Sequence, residues 1–393
     1  MTKKIILISQ TESHLTKRGK RHPNLADYLS SKGYELDYYS SSFYHAEKIQ
    51  FTSDQTMQAN KELGYKLHII KSLSYFKNVG LRRIISNLQF SRRVYKELRS
   101  KDLENTIIII PSRPVEIIYF IAKLKRKKNF KVLVDIRDVW PDAFNIQNKF
   151  LKKGFEAYCN FFLKNSLNRF DSFIYTCPKF TDWLTRFVPS AEASFIPLGY
   201  DRSRFAKVQL QTKASGFEPI NFVYIGLLQH QIEVLPFVKA MKNDPRFSLT
   251  LYGDDGEGAK YAELVQYIEK EKVTNVALKG KLPQDKVGEV LNNYDVGLMP
   301  MKAKFAFPNK VFDYIALCLP ILSLGDHDTS IFVRENQIGW VSTFEVEDIK
   351  KMLEGLYNAR ATEIVKFSER IAEIKEDYAR DNLYKKYLVE LEK

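Results

Sequence analysis

The sequence predicts an α/β protein built from two doubly wound domains, and three observations carry that expectation. The chain has 393 residues, a length that suits two domains, and its 27 Phe, 22 Tyr and 3 Trp supply ample core and exclude a mainly disordered state. Short continuous apolar runs alternate with amphipathic stretches along nearly the whole length, the pattern of parallel strands covered on both faces. The chain also changes character near residue 200. Residues 1–200 hold 34 Lys and Arg against 18 Asp and Glu, whereas residues 201–393 hold 27 against 29.

Taken in order, the first half offers strands at Lys4–Ser9, Glu35–Tyr39, His68–Ile70, Ile107–Ile110, Lys131–Ile136, Ser172–Tyr175 and Ser194–Pro197. Helical periods fall at Asn24–Lys32, Phe76–Arg99 and Lys149–Arg169. The second half repeats the alternation. Its strands are expected at Ile220–Ile225, Phe247–Tyr252, Val276–Lys279, Val296–Leu298, Ile321–Leu324 and Gly339–Val341. Helices are expected at Val234–Lys242, Ala259–Glu271 and Asp285–Asn293. Residues 201–218 are polar and aperiodic, the expected linker between a basic domain (1–200) and a neutral one (219–361). Residues 362–393 read as a final helical segment that could pack on either domain.

Composition narrows the functional classes. Cys159, Cys177 and Cys318 are odd in number and lack metal-ligand spacing, which argues against a disulfide framework or structural zinc and fits a reducing cytosol. The six histidines form no HxxxH or HExxH pattern, and Asp326-His-Asp328 lies in a loop rather than directly at a strand end, so no metal is expected. The opening apolar run is too short for a signal peptide, and no stretch is long and apolar enough for a membrane span. Nucleic acid is also not expected as a partner, because the aromatics beside the basic residues fall at helix-core spacing rather than on a stacking face.

The basic excess of the first half has two readings. Lys77, Arg82, Arg83, Arg92 and Arg93 lie among apolar residues of one helical stretch, and Lys149, Lys152 and Lys153 lie among Phe150, Leu151 and Phe155 of another. Such helices can rest in the headgroup layer of an anionic bilayer, or they can face the core with solvated outer sides.

In doubly wound sheets ligands bind beyond the carboxyl ends of the strands, so the loops there are the candidate site. The loop after the first strand is long and basic, with Arg18 and a single glycine, Gly19; it lacks the GxGxxG of a dinucleotide site but suits an anion. After Val132–Val134 come Asp135, Arg137, Asp138 and Asp142. Two carboxylates and an arginine at a strand end fit a substrate-orienting cluster, or a structural set of ion pairs and caps. In the second half Gly226, Gly253 and Gly280 each end a strand, where glycine lets a ligand approach the backbone. Then Lys302 and Lys304 precede Pro308-Asn309-Lys310-Val311, the expected start of a helix whose free amides and Lys310 would suit a diphosphate. Asp313, one turn on, could bind vicinal hydroxyls of a ribose; the alternative is a surface helix with a Lys310–Asp313 ion pair.

In this order the segments resemble the family 4 glycosyltransferases of the GT-B fold, over nearly the whole chain. The carrying pieces are Asp135-Ile-Arg-Asp-Val-Trp-Pro-Asp142, Phe195-Ile-Pro-Leu-Gly-Tyr-Asp201, Tyr224-Ile-Gly226, Gly253-Asp254, Asp295-Val-Gly-Leu-Met-Pro300, and Pro308 through Ala316 into Leu319-Pro-Ile-Leu322. The likeness is strongest to the branch that builds bacterial surface polysaccharides. It implies two Rossmann-like domains facing each other across a cleft, and a cytoplasmic enzyme peripheral on the inner membrane face. That enzyme would pass sugar with retention, without a metal, from a nucleotide-sugar, taken as UDP-linked, to a lipid-linked glycan. By position it implies that Asp313 binds the ribose, that Pro308, Asn309, Lys310 and Val311 bind the diphosphate, and that Gly280, Lys281 and Leu282 lie against the base. Arg137 and Asp138 would face the donor sugar and acceptor.

The sequence departs from that family in four places. Its paired-glutamate motif has Asp313 at the second position and Phe305 at the first. Leu227–Glu233 replaces the usual Arg and Lys, Arg137 replaces a histidine, and the glycine pair of the first loop is reduced to Gly19. The phosphate duty would then pass to Lys310, Lys302, Lys304, His230 or the loop around Arg18. Two rivals follow: a sugar-nucleotide epimerase, and a non-catalytic subunit that binds glycan or a partner transferase.

Overall fold

The computed structural model describes residues 4–17, 20–76, 80–144, 146–210, 219–228, 231–253, 258–305 and 307–393. They form two units, Met1–Ile196 with Tyr384–Lys393, and Pro197–Leu383.

The strands of the first unit are β1 (Lys4–Ile8), β2 (Glu35–Ser41), β3 (Phe43–Tyr44), β4 (Ile49–Gln50), β5 (Lys66–Ile70), β6 (Thr106–Pro111), β7 (Lys131–Ile136), β8 (Ser172–Tyr175) and β9 (Ala193–Phe195). Seven of them pair in parallel in the order β5-β2-β1-β6-β7-β8-β9, while β3 and β4 form a small antiparallel hairpin. Its helices are α1 (Arg21–Ser31), α2 (Ser53–Glu62), α3 (Leu81–Ser100), α4 (Val115–Lys125), α5 (Lys149–Lys164) and α6 (Phe180–Thr185). Central strands are largely apolar because helices cover both faces; Ile5–Ile8 and all of β6 are buried, and Asp135 near the end of β7 is the charged exception.

The second unit carries β10 (Ile220–Ile225), β11 (Phe247–Tyr252), β12 (Val276–Leu278), β13 (Val296–Pro300), β14 (Ile321–Leu324) and β15 (Gly339–Ser342). They pair in parallel in the order β12-β11-β10-β13-β14-β15. The helices are α7 (Leu235–Ala240), α8 (Ala259–Lys270), α9 (Val287–Leu291), α10 (Asn309–Ala316), α11 (Asp328–Asn336), α12 (Val346–Ile374) and α13 (Arg380–Glu392), the last crossing into the first unit at Tyr384. In both sheets the strand order reverses beside the first strand, between β1 and β6 and between β10 and β13. Those switch points are where a doubly wound sheet opens a ligand crevice.

Three details differ from expectation. Helix α1 starts at Arg21 rather than Asn24, because Pro23 falls in a first turn where its missing N–H costs nothing. No boundary exists at Thr362: Ile349, Leu353, Leu356, Ile364 and Ile371 keep one buried stripe through α12, and the break comes at Lys375–Tyr378. Of the expected linker, Arg202–Arg204 form a 3-10 turn capped by Asp201, and Arg202 pairs with Glu376 and Asp381. Residues 211–218 lie outside the described residues.

Candidate functional site

In the second unit the strand-end glycines form a ledge. The Gly226 N–H donates to Tyr252 O at 2.8 Å, and the Gly253 N–H donates to Gly280 O at 2.7 Å. Gly226 and Gly253 have φ of +131° and +122°, which side chains rarely adopt. A Cβ on Gly253 would sit 2.8 Å from the Gly226 backbone, and one on Gly226 would sit 2.5 Å from Lys310 Nζ. The close approach that these glycines permit is therefore made, at Gly226, by a lysine of the same unit. Around Gly280 no atom lies within 4 Å of an added Cβ, and Leu282 follows it half-buried.

Helix α10 starts beside this ledge. No side chain caps its first turn and no acidic residue lies in it, so its +0.5 dipole end is unopposed; of its first amides, that of Val311 already donates to Pro308 O at 3.1 Å. The helix is pinned flat because Gly297 of β13 makes room for the Tyr314 ring, whose hydroxyl donates to Val223 O and Leu298 O. Pro308 leads the turn, Asn309 is exposed, and Val311 is buried. Lys310 holds its ammonium 3.9 Å from the centre of the Tyr224 ring. Burial pushes its pKa down to about 7, against the attraction of Asp313.

Asp313 is buried, and its Oδ1 accepts from Arg204 at 3.0 Å rather than from Lys310. The expected surface helix with a Lys310–Asp313 ion pair is therefore not what forms. Burial raises the Asp313 pKa, with Arg204 and Arg380 opposing. Lys302 is held by Glu233 at 2.8 Å, which Lys260 also reaches at 2.9 Å. Burial alone would raise the Glu233 carboxyl, but the two ammonium groups hold it below its ordinary value. Lys304 is exposed, 5.4 Å from the Phe305 ring centre. His230 and Asp254 lie outside the described residues.

In the first unit, Arg137 and Asp138 follow β7 directly, at the strand's carboxyl end. Each is tied into the unit: Arg137 Nη1 lies 2.6 Å from Glu12 Oε1, and Asp138 Oδ2 lies 3.1 Å from Arg113 Nε. Ser112 fixes the turn, donating to Asp138 O at 2.6 Å. Beneath them Asp135 is fully buried and takes three donors on one carboxylate. Arg21 Nε lies at 3.0 Å, His22 Nε2 at 2.9 Å and the Tyr387 hydroxyl at 3.0 Å. Burial would raise the Asp135 pKa, but Arg21 and His22 hold it well below the carboxylate range. Glu12, Arg21, His22 and Tyr387 were not expected from sequence. The run Arg21-His22 after a basic loop was a usable signal, whereas Tyr387 lies 252 residues from Asp135 and gave none. Arg18 and Gly19 lie outside the described residues.

No protein-family model matches the chain, and no curated protein matches its sequence. Solved structures do match. The sucrose-phosphate synthase of Thermosynechococcus elongatus is 14% identical with a TM-score of 0.69, over 98% of this chain and 97% of that one. Anabaena HepE in complex with UDP is 10% identical with a TM-score of 0.67, over 99% of each chain. A glycosyltransferase of Rickettsia africae is 14% identical with a TM-score of 0.64, over 99% of this chain and 98% of that one. At such identities the likeness establishes the fold. The chain has two Rossmann-like parallel-sheet units of the kind found in GT-B glycosyltransferases.

Proposed function

We propose that this chain is a glycosyltransferase whose second unit binds a UDP-linked sugar and whose first unit binds the acceptor, a lipid-linked glycan of a cell-surface polysaccharide. The observation that carries the reading is the start of α10, uncapped, with Lys310 over Gly226 at the switch point of a doubly wound sheet. As the bond between the anomeric carbon and the diphosphate breaks, negative charge grows on the departing oxygen. In this reading the first-turn amides of α10 and the Lys310 ammonium would stabilise it, a role that would need no metal. The acceptor oxygen forms the new bond to the anomeric carbon with retention, and its proton is released. Asp313 would accept from a ribose hydroxyl through the oxygen that Arg204 leaves open, with the base beyond Gly280 and Leu282. Arg137 and Asp138 would hold the acceptor. The HepE complexes with UDP and UDP-glucose support the choice of base.

A second reading is favoured by one feature: Phe305 stands where the resemblance implies a carboxylate, and Arg204 already engages Asp313. That reading is a non-catalytic subunit. Thermal unfolding with UDP, GDP and ADP, with and without magnesium, separates the two. Ligand at about 100 times its dissociation constant adds roughly 2.7 kcal/mol, a shift of several degrees. The enzyme reading expects a shift with UDP, independent of magnesium and lost in Asp313→Ala; no shift with any nucleotide establishes the subunit. Product formation from UDP-sugar alone, without acceptor, would instead show an epimerase.

A further inference from the structure

Helix α10 carries two groups that would ordinarily find each other. Lys310 and Asp313 lie three residues apart, a spacing that brings an ammonium and a carboxylate together on one helix face. Asp313 is buried and Lys310 is half-buried, which makes a local counter-charge more attractive still. Yet no ion pair joins them. Lys310 stands over the Tyr224 ring, in the space left by Gly226. Asp313 Oδ1 instead accepts from Arg204 Nη1 at 3.0 Å.

Arg204 reaches α10 from the Arg202–Arg204 turn, 109 residues earlier in the chain and in the same unit. That turn is held on every side. Asp201 caps it by accepting from the Ser203 N–H at 3.0 Å, and Arg202 is bound to Glu376 and Asp381. Just before it, the Tyr200 N–H donates to Tyr378 O at 3.1 Å, and the Arg380 N–H donates to Tyr200 O at 2.9 Å. Just after it, the chain lies against α9, where a Cβ on Gly288 would come within 3.1 Å of Phe205 and 2.8 Å of Val208. Within this frame the arginine itself is poorly satisfied. Its Nε is buried without a hydrogen-bond partner among the described residues, a cost that a space-filling apolar side chain would avoid.

We propose that Arg204 is a positioning residue that keeps Lys310 and Asp313 from pairing with each other, so that one stays open to a diphosphate and the other to a ribose hydroxyl. An arginine suits the task, because its guanidinium stays charged where a lysine or histidine would titrate. It engages one carboxylate oxygen and leaves the second as an acceptor. The separation of the two groups rests on this geometry alone; its use in binding rests on the glycosyltransferase reading.

Few charged groups face the pair. Lys310 meets the Tyr224 ring of β10 and the field of Asp313, and Asp313 meets Arg204 and the field of Arg380 at the start of α13. With Arg204 removed, Asp313 keeps Lys310 on its own helix face, and the two should close. Pairing would raise the Lys310 pKa from about 7 back toward its ordinary 10.5. Folded and unfolded chains would then bind the same proton between those values, and the rise of stability with pH would vanish.

Urea unfolding of the full chain without nucleotide, from about pH 7 to 9, tests this. Wild type should gain stability across that range. Arg204→Met should gain much less, and Arg204→Met with Asp313→Asn should gain as wild type does, because Lys310 again lacks a carboxylate. A purely structural arginine would lower the midpoint equally at each pH. Arg202→Met, which breaks the neighbouring pairs with Glu376 and Asp381, is the control for that case and should keep the wild-type rise. Arg204→Gln is the second variant if Arg204→Met does not fold. An absent rise in wild type, an unchanged rise in Arg204→Met, or a lost rise that Asp313→Asn does not restore would overturn the proposal. UDP is added in a separate measurement, where Arg204→Met should bind about tenfold or more weakly and Arg204→Lys should recover part of the loss. Unchanged UDP binding in Arg204→Met would overturn the role in binding. A wild type that shows the stability pattern but binds no UDP would overturn the nucleotide reading alone.

Discussion

Lys310 places its ammonium 3.9 Å from the centre of the Tyr224 ring, in the space that the absent side chain of Gly226 leaves open. A cation is thus stored at a strand end by an aromatic face and a missing Cβ, not by a carboxylate. That arrangement is costly for the ligand-free protein and favourable to an incoming anion.

The cost should be visible as pH-dependent stability. Lys310 has its pKa pushed down to about 7 by burial, from an ordinary 10.5. Between those values the unfolded chain binds the proton that the folded protein has released, so stability rises with pH, by at most about 1.4 kcal/mol per unit. Below about pH 7 the full penalty applies. Urea unfolding from about pH 7 to 9 should show this rise in the wild type and a flatter profile in Lys310→Met. If a diphosphate binds there, UDP binding above pH 7 should take up a proton, detectable as a buffer-dependent heat.

Gly226→Ala introduces a Cβ 2.5 Å from the Lys310 ammonium at a φ of +131°. The expected loss is about 1–3 kcal/mol of stability, together with the UDP-dependent shift in midpoint. Retention of both would remove the ledge from the site.

The two candidate lysines should separate cleanly. Lys302 is bound to Glu233, whereas Lys310 makes no ion pair among the described residues. Lys310→Gln should abolish stabilisation by UDP, and Lys302→Gln should largely preserve it. The reverse result would move the phosphate site to the end of β13.

Asp135→Asn leaves the buried Arg21 without its counter-charge and should cost about 3–5 kcal/mol. Tyr387→Phe removes one hydrogen bond to that carboxylate and should cost about 1.5–3 kcal/mol. Because the folded Asp135 pKa is depressed from 3.8, its contribution is present above that pH and is lost as pH falls further. Acid unfolding of Asp135→Asn should accordingly be less steep than that of the wild type.

The sheets were legible because parallel strands buried on both faces must be largely apolar; β1, β7, β10 and β11 fall within a residue of their expected bounds. Elements escaped for two reasons: α4 is apolar nearly all round and shows no amphipathic period, and the others were polar or short. Helix α2 has only Ala59 buried and offers little periodicity; its one signal was the Thr52/Gln55 capping box. The β3–β4 hairpin is too short to show alternation. Site residues on one helix start, Pro308 to Asp313, could be read together because their spacing is local. Partners supplied from far along the chain could not: Arg204 meets Asp313 across 109 residues, and no local pattern announces such a pair.

The crossing of α13 into the first unit has a consequence for biosynthesis. Residues 1–196 leave the ribosome first, but Tyr387 arrives only after the whole of 197–383 has been made. Until then Asp135 and Arg21 lack the hydroxyl that both contact. The first unit to be synthesised is therefore the last to complete its core, so a nascent chain stalled before Tyr384 should hold a first unit that proteases cut readily, and its resistance should appear only on release of the full chain.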